Sequence, residues 1–265
     1  MMSPKHLTTL LHLSDPTLPI GGYAHSYGLE SYVQSGVVCS VDKAREFVTN
    51  SLHYNLKYND GIYVRLAWEA MQSGDFDYLC QLDEECTATK SPAEIREASL
   101  KLGGRLLKIF NRKIEGESIE VLERLCRGTK RGGHYAVIYG AVAALMELPV
   151  RETVLSFYYN SMVCMVTNAV KLIPLGQLSG QEIIFELEDG LSALTAETLE
   201  LILRLEVCVP WVLIWRQCSM RGCIRAFTCH KKREKYATRI YKNWGRRTCG
   251  FGKDSSVGAF NATNM

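Results

Sequence analysis

The stretch LLHLSDPTLPIGGYAHSYGLESYV, residues Leu10–Val33, places a Pro-Ile-Gly-Gly turn between two apolar segments with helical spacing. Pro16 and Pro19 exclude one continuous helix, because a proline lacks a backbone N–H and disfavours the α conformation of the residue before it. Gly21–Gly22 permits positive φ or a close backbone approach, and Gly36 is suited to end the second helix. The stretch therefore predicts two helices that meet at a tight corner.

The rest of the chain continues the helical periodicity. Ser40 is suited to cap a helix that runs to about Leu56. Asn59–Gly61 is expected to interrupt the helical backbone before the next helix begins. Gly103–Gly104 lies inside another helical segment, where glycines predict close contact with a neighbouring helix. The sequence shows no strand-like alternation of apolar and polar residues, and no hairpin dipeptide lies between apolar runs. The sequence predicts an all-α fold, a single helical-bundle-like domain of about ten helices.

Four separated segments carry a family resemblance. The corner contains SDPTLPIGGYAHSYGLE, residues 14–30, and later segments read EIREASLKLGGRLL, residues 94–107, HYAVIYGAVAALMELP, residues 134–149, and NAVKLIPLGQLSGQEII, residues 168–184. In this order they resemble the fingerprints of the urease accessory protein UreF family. The resemblance covers these four separated segments, from Leu10 to about Leu205, and we expect residues 1–207 to form the UreF-like all-α domain.

The resemblance implies a function that spacing alone does not supply. Proteins of this family are dimeric scaffolds that join UreD/UreH and the GTPase UreG on apo-urease during GTP-dependent nickel insertion. The chain is then a non-enzymatic adaptor, with Glu30 and Lys171 at positions expected to face the GTPase. Tyr23 and His25 have an apolar body and a polar tip, which suits interface anchors. The full set of expected partner-binding residues is Pro19, Gly21, Gly22, Tyr23, His25, Glu30, Arg96, Lys171, Pro174, Gln177 and Gln181.

No catalytic or metal-binding constellation is legible in the sequence. The six histidines are scattered without HExxH or HxH spacing, and His134 is expected to be a hydrogen-bonded structural residue. We expect no bound cofactor and no catalytic residue, and we expect nickel to be handled by the assembled complex. No apolar run approaches the ~20 residues of a membrane span, and Met1–Thr9 lacks the apolar core of a secretory signal, so a cytoplasmic protein is expected.

Charge divides the chain unevenly. Residues 1–215 carry 19 Lys and Arg against 26 Asp and Glu, whereas residues 216–265 carry 12 against 2. A basic tail of this kind is typical of nucleic-acid binding. A helical nucleic-acid-binding protein that uses this tail is therefore one alternative function, and an uncharacterised all-α enzyme is another.

A displaced reading frame is a different explanation of residues 208–265. Read two nucleotides late, codons for Trp211–His230 can spell the family's usual ending, GFDxxxMQHExLYSRLYMS, followed by a stop. Read one nucleotide late, codons for Arg239–Asp254 can spell YIKIGVAGPVGSGKT, which resembles the start of UreG. We therefore expect a frameshift near Val207–Pro210, natural or a sequencing error, and a disordered, atypical basic tail that binds neither nucleic acid nor membrane.

The two turns of the fingerprints are expected to meet in space. Both Pro19–Tyr23 and Lys171–Gln181 contain Pro and Gly at a junction between helices, where backbone groups need partners. Loops at such junctions commonly carry binding residues. The sequence predicts that these two turns pack together and form one partner-binding surface.

Overall fold

A computed structural model describes residues 2–22, 28–90, 92–114, 116–128 and 133–201 of the 265-residue chain. Tyr23 and His25 lie outside the described residues, as does the whole segment 208–265. The expectations for these residues, and the division of the chain at residue 207, therefore stay predictions.

The described residues are helical and contain no strand, which confirms the all-α prediction. The helices are α1 (Pro4–Leu13), α2 (Leu29–Gln34), α3 (Val41–Asn50), α4 (Ile62–Ser73), α5 (Phe76–Thr89), α6 (Ala93–Phe110), α7 (Glu117–Gly128), α8 (Tyr135–Leu145), α9 (Val150–Leu172) and α10 (Gln177–Glu200). A π-helical segment, Ser51–Gly61, joins α3 to α4, and a short 3-10 turn, Asn111–Lys113, follows α6.

The helix α8 lies at the centre of the core, against α4 and α6. Every residue from Tyr135 to Ala144 is buried. Small side chains allow this, since a Cβ at Gly140 would fall on the backbone carbonyl of Val64 in α4. Gly103 likewise lies against the backbone of Gly133 and His134, immediately before α8 begins, so a close backbone contact accounts for this glycine, although the contact is with the segment that leads into the helix. Gly104 has open space instead, and nothing in the packing requires it to be glycine.

The predicted break at Asn59–Gly61 is wrong. Backbone from α3 through the π-helical segment to α4 is helical throughout, and Gly61 itself has helical φ of −58°. Gly61 is required for packing instead, because a Cβ there would overlap the hydroxyl group of Tyr158 in α9. The Tyr158 hydroxyl lies 2.7 Å from the Thr198 hydroxyl of α10. A glycine that resembles a turn signal therefore marks a close contact between helices.

Candidate functional site

The first fingerprint turn is held by its own polar groups. Asp15 Oδ1 accepts hydrogen bonds from the Thr17 backbone N–H at 2.7 Å and from the Thr17 hydroxyl at 2.8 Å. These bonds favour the carboxylate and lower the pKa of Asp15. Leu18 and Ile20 are buried, whereas Pro19 is exposed between them. The local bonding thus fixes a turn that presents Pro19 at the surface.

Arg105 of α6 fixes the end of this turn. Its Nη1 donates a hydrogen bond to the Ile20 carbonyl at 2.9 Å. Gly21 has φ of +89°, and a Cβ at this residue would collide with the same guanidinium group. Gly22 is half-buried beside Leu102 of α6. Gly21 therefore has a structural reason to be glycine, whereas a Cβ at Gly22 would make only ordinary van der Waals contacts, so the packing does not require glycine there.

A small cavity of about 10 Å³ lies between this turn and the middle of α9, room for about one water molecule. It is lined by Asp15, Pro16, Ile20, Gly22, Leu102, Tyr135, Asn160, Ser161 and Cys164. Cys164 precedes Lys171 by seven residues, or about 10 Å along a helix. The described contacts of the turn are thus with α6 and the middle of α9, and packing of its end at Tyr23 against Lys171–Gln181 stays a prediction.

The second fingerprint forms the junction between α9 and α10. Ile173 is buried at the connection between the two helices, whereas Pro174 and the polar side chains around it are exposed. A groove of about 370 Å³ runs beside the junction. Gly180 lets the two helices approach, because a Cβ there would lie 2.7 Å from Val170 Cγ2. The exposed candidate residues that this junction brings together are Lys171, Pro174, Gln177 and Gln181.

The groove has mixed chemistry. Val166, Val170 and Ile184 supply apolar walls, and Lys171, Gln177 and Gln181 supply polar groups at its edge. Neither cavity shares a lining residue with the other. The second junction is therefore a surface of its own, with the composition of an interface in which apolar contact is surrounded by polar groups.

Glu30 and Arg96 differ in their surroundings. Glu30 is exposed in the first turn of α2, where the helix dipole favours a negative charge. Arg96 is half-buried in α6, and its Nη1 donates a hydrogen bond to the Lys90 carbonyl at 2.9 Å. Arg96 therefore has a structural role between α5 and α6, and its proposed binding role stays a prediction.

A buried polar cluster surrounds His134. The sequence predicted a hydrogen-bonded histidine here but not the other members of the cluster. Asp83 of α5 accepts hydrogen bonds from the backbone N–H groups of Gly133, at 3.0 Å, and His134, at 2.7 Å. The His134 ring lies 3.1 Å from the Ser99 hydroxyl through Nδ1 and 2.8 Å from the Thr87 hydroxyl through Nε2. His134 is fully buried. The prediction of a hydrogen-bonded structural histidine is confirmed.

The cluster shifts both ionisable groups towards their neutral forms. Burial raises the pKa of Asp83 to about 6, against the opposing effect of its two backbone hydrogen bonds. Burial lowers the pKa of His134 to about 3, assisted by the nearby cations Lys90 and Arg96. Shifted pKa values often mark catalytic sites. Here both groups are committed to bonds that hold α5, α6 and α8 together, which favours a structural explanation.

A second buried pair supports the same part of the core. Lys90 Nζ lies 2.6 Å from Asp60 Oδ1 of the π-helical segment. Burial is the largest single effect and disfavours the ammonium group, but the charge and hydrogen bond of Asp60, together with Cys86, raise the pKa of Lys90 overall. Within residues 2–22, 28–90, 92–114, 116–128 and 133–201, His, Cys, Asp and Glu form no group of three or more with metal-binding geometry.

The described residues thus form an all-α domain with buried charged groups between its helices and exposed polar side chains at the junction between α9 and α10. Residues 38–188 match the family model described as UreF. The chain belongs to the UreF family of urease accessory proteins. No helix in the described part of the chain is long and apolar enough to cross a membrane.

Individual relatives agree with the family assignment. The chain is 46% identical over 185 residues to "Urease accessory protein UreF" of Haemophilus influenzae strain PittGG, covering 70% of this chain and 79% of the relative. It is 46% identical over 186 residues to the protein of that name in Actinobacillus pleuropneumoniae serotype 5b, covering 70% and 82%. The Lachnoclostridium phytofermentans protein is 34% identical over 186 residues, covering 70% and 81%.

Proposed function

We propose that this chain is a non-enzymatic adaptor of urease maturation, which recruits and regulates the GTPase UreG together with UreD/UreH on apo-urease. The assembled complex then inserts nickel in a GTP-dependent step, with nickel as its cargo. Membership of a family named for urease accessory proteins supports this role, and the fingerprint resemblance supplies the partners. In the same proposal the chain acts in the cytoplasm as a homodimer within the complex.

The observation that carries the proposal is the exposed second junction. Its polar side chains Lys171, Gln177 and Gln181 surround a groove of about 370 Å³, and all three are exposed. Exposed polar side chains of this kind add little to the free energy of folding. The presence of these side chains in a segment with family resemblance is therefore better explained by binding to a partner protein than by packing in the core.

Reconstitution with the accessory partners tests the proposal. The chain would be co-expressed with UreD/UreH, UreG and the urease subunits. It would carry the family's usual C-terminal segment in place of residues 208–265, because the sequence as given is expected to bind UreD/UreH weakly. It would be made in this original form, as Lys171→Ala and as the double variant Gln177→Ala with Gln181→Ala. We expect both variants to lower urease activation and to retain less UreG on tagged apo-urease complexes. The physical reason is that polar groups at an interface fix orientation and select the partner.

Lys108→Ala is the matched control. Lys108 is an exposed lysine of α6 that does not line the groove of the second junction, so activation and UreG retention should stay at the original level. If both junction variants retain UreG and activate urease as fully as the control does, the second junction is not the GTPase-facing surface and the proposal is wrong in that part.

A further inference from the structure

The helix α10 is apolar on two opposite sides. Its inner side, which includes Ile183, Leu191 and Leu194, is buried in the core. Leu178 and Phe185 lie seven residues apart, two helical turns, and therefore share a side. Their exposed fractions are 79% and 63%. Large apolar side chains so exposed on a single helix face are typical of interaction surfaces.

Two carboxylates complete this outer side. Glu182 and Asp189 follow Leu178 at spacings that keep them on the same face, and both are exposed. We call Leu178, Glu182, Phe185 and Asp189 the outer stripe. It spans twelve residues, with about 16 Å along the helix axis between its first and last residues.

The outer stripe has an uncompensated negative charge. α10 contains no lysine or arginine. Other carboxylates of this helix have cationic partners, since Glu186 pairs with Arg45 and Glu197 with Lys57. Neither Glu182 nor Asp189 has an ion-pair partner among the residues that the structure describes. A ligand of this face therefore gains from positive charge placed next to apolar contact.

We propose that the outer stripe binds an amphipathic helix of a partner protein, with apolar side chains seven residues apart and Lys or Arg between them on the same face. Leu178 and Phe185 are the apolar anchors, which bury their area against the partner's apolar side chains. Glu182 and Asp189 pair with the basic residues and set the register. Leu178 also borders the groove of the second junction, so the stripe continues from the surface proposed above but extends beyond it.

A second copy of this chain does not fit the outer stripe. In an antiparallel two-fold pairing centred on the stripe, Leu178 lies opposite Asp189 and Glu182 lies opposite Phe185. In a parallel two-fold pairing each carboxylate lies opposite the same carboxylate of the second chain. Either arrangement buries carboxylates against apolar groups or against like charge, which is unfavourable without a cation. Charge complementarity therefore favours a basic partner over self-association.

Peptide binding to the full chain tests this inference. The probe is a fluorescein-labelled helical peptide of about 18 residues, with leucines seven residues apart and lysines between them on one face. A twin peptide carries glutamate in place of each lysine. By fluorescence anisotropy we expect the lysine peptide to bind more tightly than its twin, and to bind more weakly as salt rises. Phe185→Ser and Leu178→Ser should each weaken binding about tenfold.

Charge reversal gives a sharper readout. The double variant Glu182→Lys with Asp189→Lys should reverse the preference, so that the glutamate twin binds more tightly than the lysine peptide. Leu11→Ser, an exposed leucine of α1, and Glu188→Lys, an exposed carboxylate of α10 outside the stripe, are the matched controls. Both should leave the affinity for the lysine peptide unchanged.

Several results would overturn the inference. Equal binding of the two peptides, or full binding by the stripe variants, excludes a basic amphipathic ligand on this face. If stripe variants change only the mass of the chain in light scattering, the occupant is a second copy. Binding to phosphatidylserine vesicles that depends on Phe185 would show that the outer stripe binds a membrane surface instead. All these measurements are independent of urease activation, so their outcome does not decide the adaptor role.

Discussion

The Asp83 carboxylate of α5 accepts a hydrogen bond from the His134 backbone N–H at 2.7 Å, although the two residues are 51 positions apart. The α8 N-terminus has no cap from its own N-cap side chain. Asp83 supplies that cap from another helix and also accepts the Gly133 N–H. The central helix of the core is therefore held at its start by a carboxylate that belongs to a different element.

Asp83 and His134 are expected to give opposite pH dependences of stability. The pKa of Asp83 is raised from 3.8 to about 6, so its contribution is full below 3.8 and is lost as pH rises through about 6. The pKa of His134 is lowered from 6.5 to about 3, so its contribution is full above 6.5 and is lost as pH falls through about 3. Between these limits the two contributions oppose each other.

We predict that Asp83→Asn uncovers the histidine contribution. Relative to the original chain, the unfolding free energy of this variant should fall as pH is lowered from 7 to 4, by about 3 kcal/mol for a shift of about two pKa units. At pH 7 the variant also loses one acceptor for a backbone N–H, which costs about 1–3 kcal/mol. Urea unfolding at several pH values measures both effects.

Glu84→Gln is the control for that prediction. Glu84 is the exposed neighbour of Asp83 on α5 and has a small effect on the pKa of Asp83. Its variant should follow the original chain across the whole pH range to within about 0.5 kcal/mol. A parallel curve for Asp83→Asn as well would mean that the carboxylate does not take up a proton on folding.

Gly61→Ala is predicted to destabilise the protein by about 1–3 kcal/mol, the usual cost of overpacking. An alanine in a helix normally stabilises it relative to glycine, but here the new Cβ would overlap the Tyr158 hydroxyl. Thermal or urea unfolding measures the difference. Gly190→Ala in α10 is the control, since open space surrounds Gly190, and it should stabilise by about 0.5–1 kcal/mol.

A double-mutant cycle with Tyr158→Phe examines the cause. Removal of the hydroxyl group relieves the closest overlap but leaves Tyr158 Cζ 2.7 Å from the alanine Cβ, so the double variant should lose somewhat less free energy than the two single variants together. Strict additivity would mean that the hydroxyl group is not the source of the cost of Gly61→Ala.

The sequence predicted elements whose cause is local, and it failed where the cause lies in a distant segment. The Ala, Gly and Val content of residues 134–149 is a local feature, and it is typical of a central helix crossed closely by its neighbours, as α8 is. Asn59–Gly61 has the composition of a turn, but Gly61 is required because its missing side chain leaves space for Tyr158, nearly a hundred residues later. Asp83 is one acidic residue among several in α5, and only the fold brings it to the start of α8.

Side-chain orientation was equally hard to predict on α10. The run Ile183–Phe185 is apolar, and periodicity alone does not say which side of the helix faces the core. Contact with α9 decides this: Gly180 and Ile183 face inward, and Phe185 faces outward. The exposed candidates of the second junction were predicted from family resemblance, whereas the outer stripe needed the structure.

Glu30→Ala and Lys171→Ala are predicted to leave stability within about 0.5 kcal/mol of the original chain, because both side chains are exposed. Arg96→Ala should cost more, since its guanidinium group holds the Lys90 carbonyl beside a buried ion pair. Urea unfolding of the three variants measures this order. A loss of about 2–5 kcal/mol for Glu30→Ala or Lys171→Ala, as for a core deletion, would make that residue structural instead of partner-binding.

The last prediction concerns residues 208–265, which lie outside the described residues. If a frameshift near Val207–Pro210 replaced the family's usual C-terminal segment, the chain as written lacks a segment expected to dock on UreD/UreH. We therefore expect this chain to retain UreD/UreH weakly in a pull-down, and a frame-restored version that ends in the peptide GFDxxxMQHExLYSRLYMS to retain it strongly. Both versions share residues 1–207, so their helical content by circular dichroism is the control for the core. Equal retention by the two versions would show that the usual C-terminal segment is dispensable for UreD/UreH binding, and coding DNA in which no single-base insertion or deletion restores that peptide would exclude the frameshift itself.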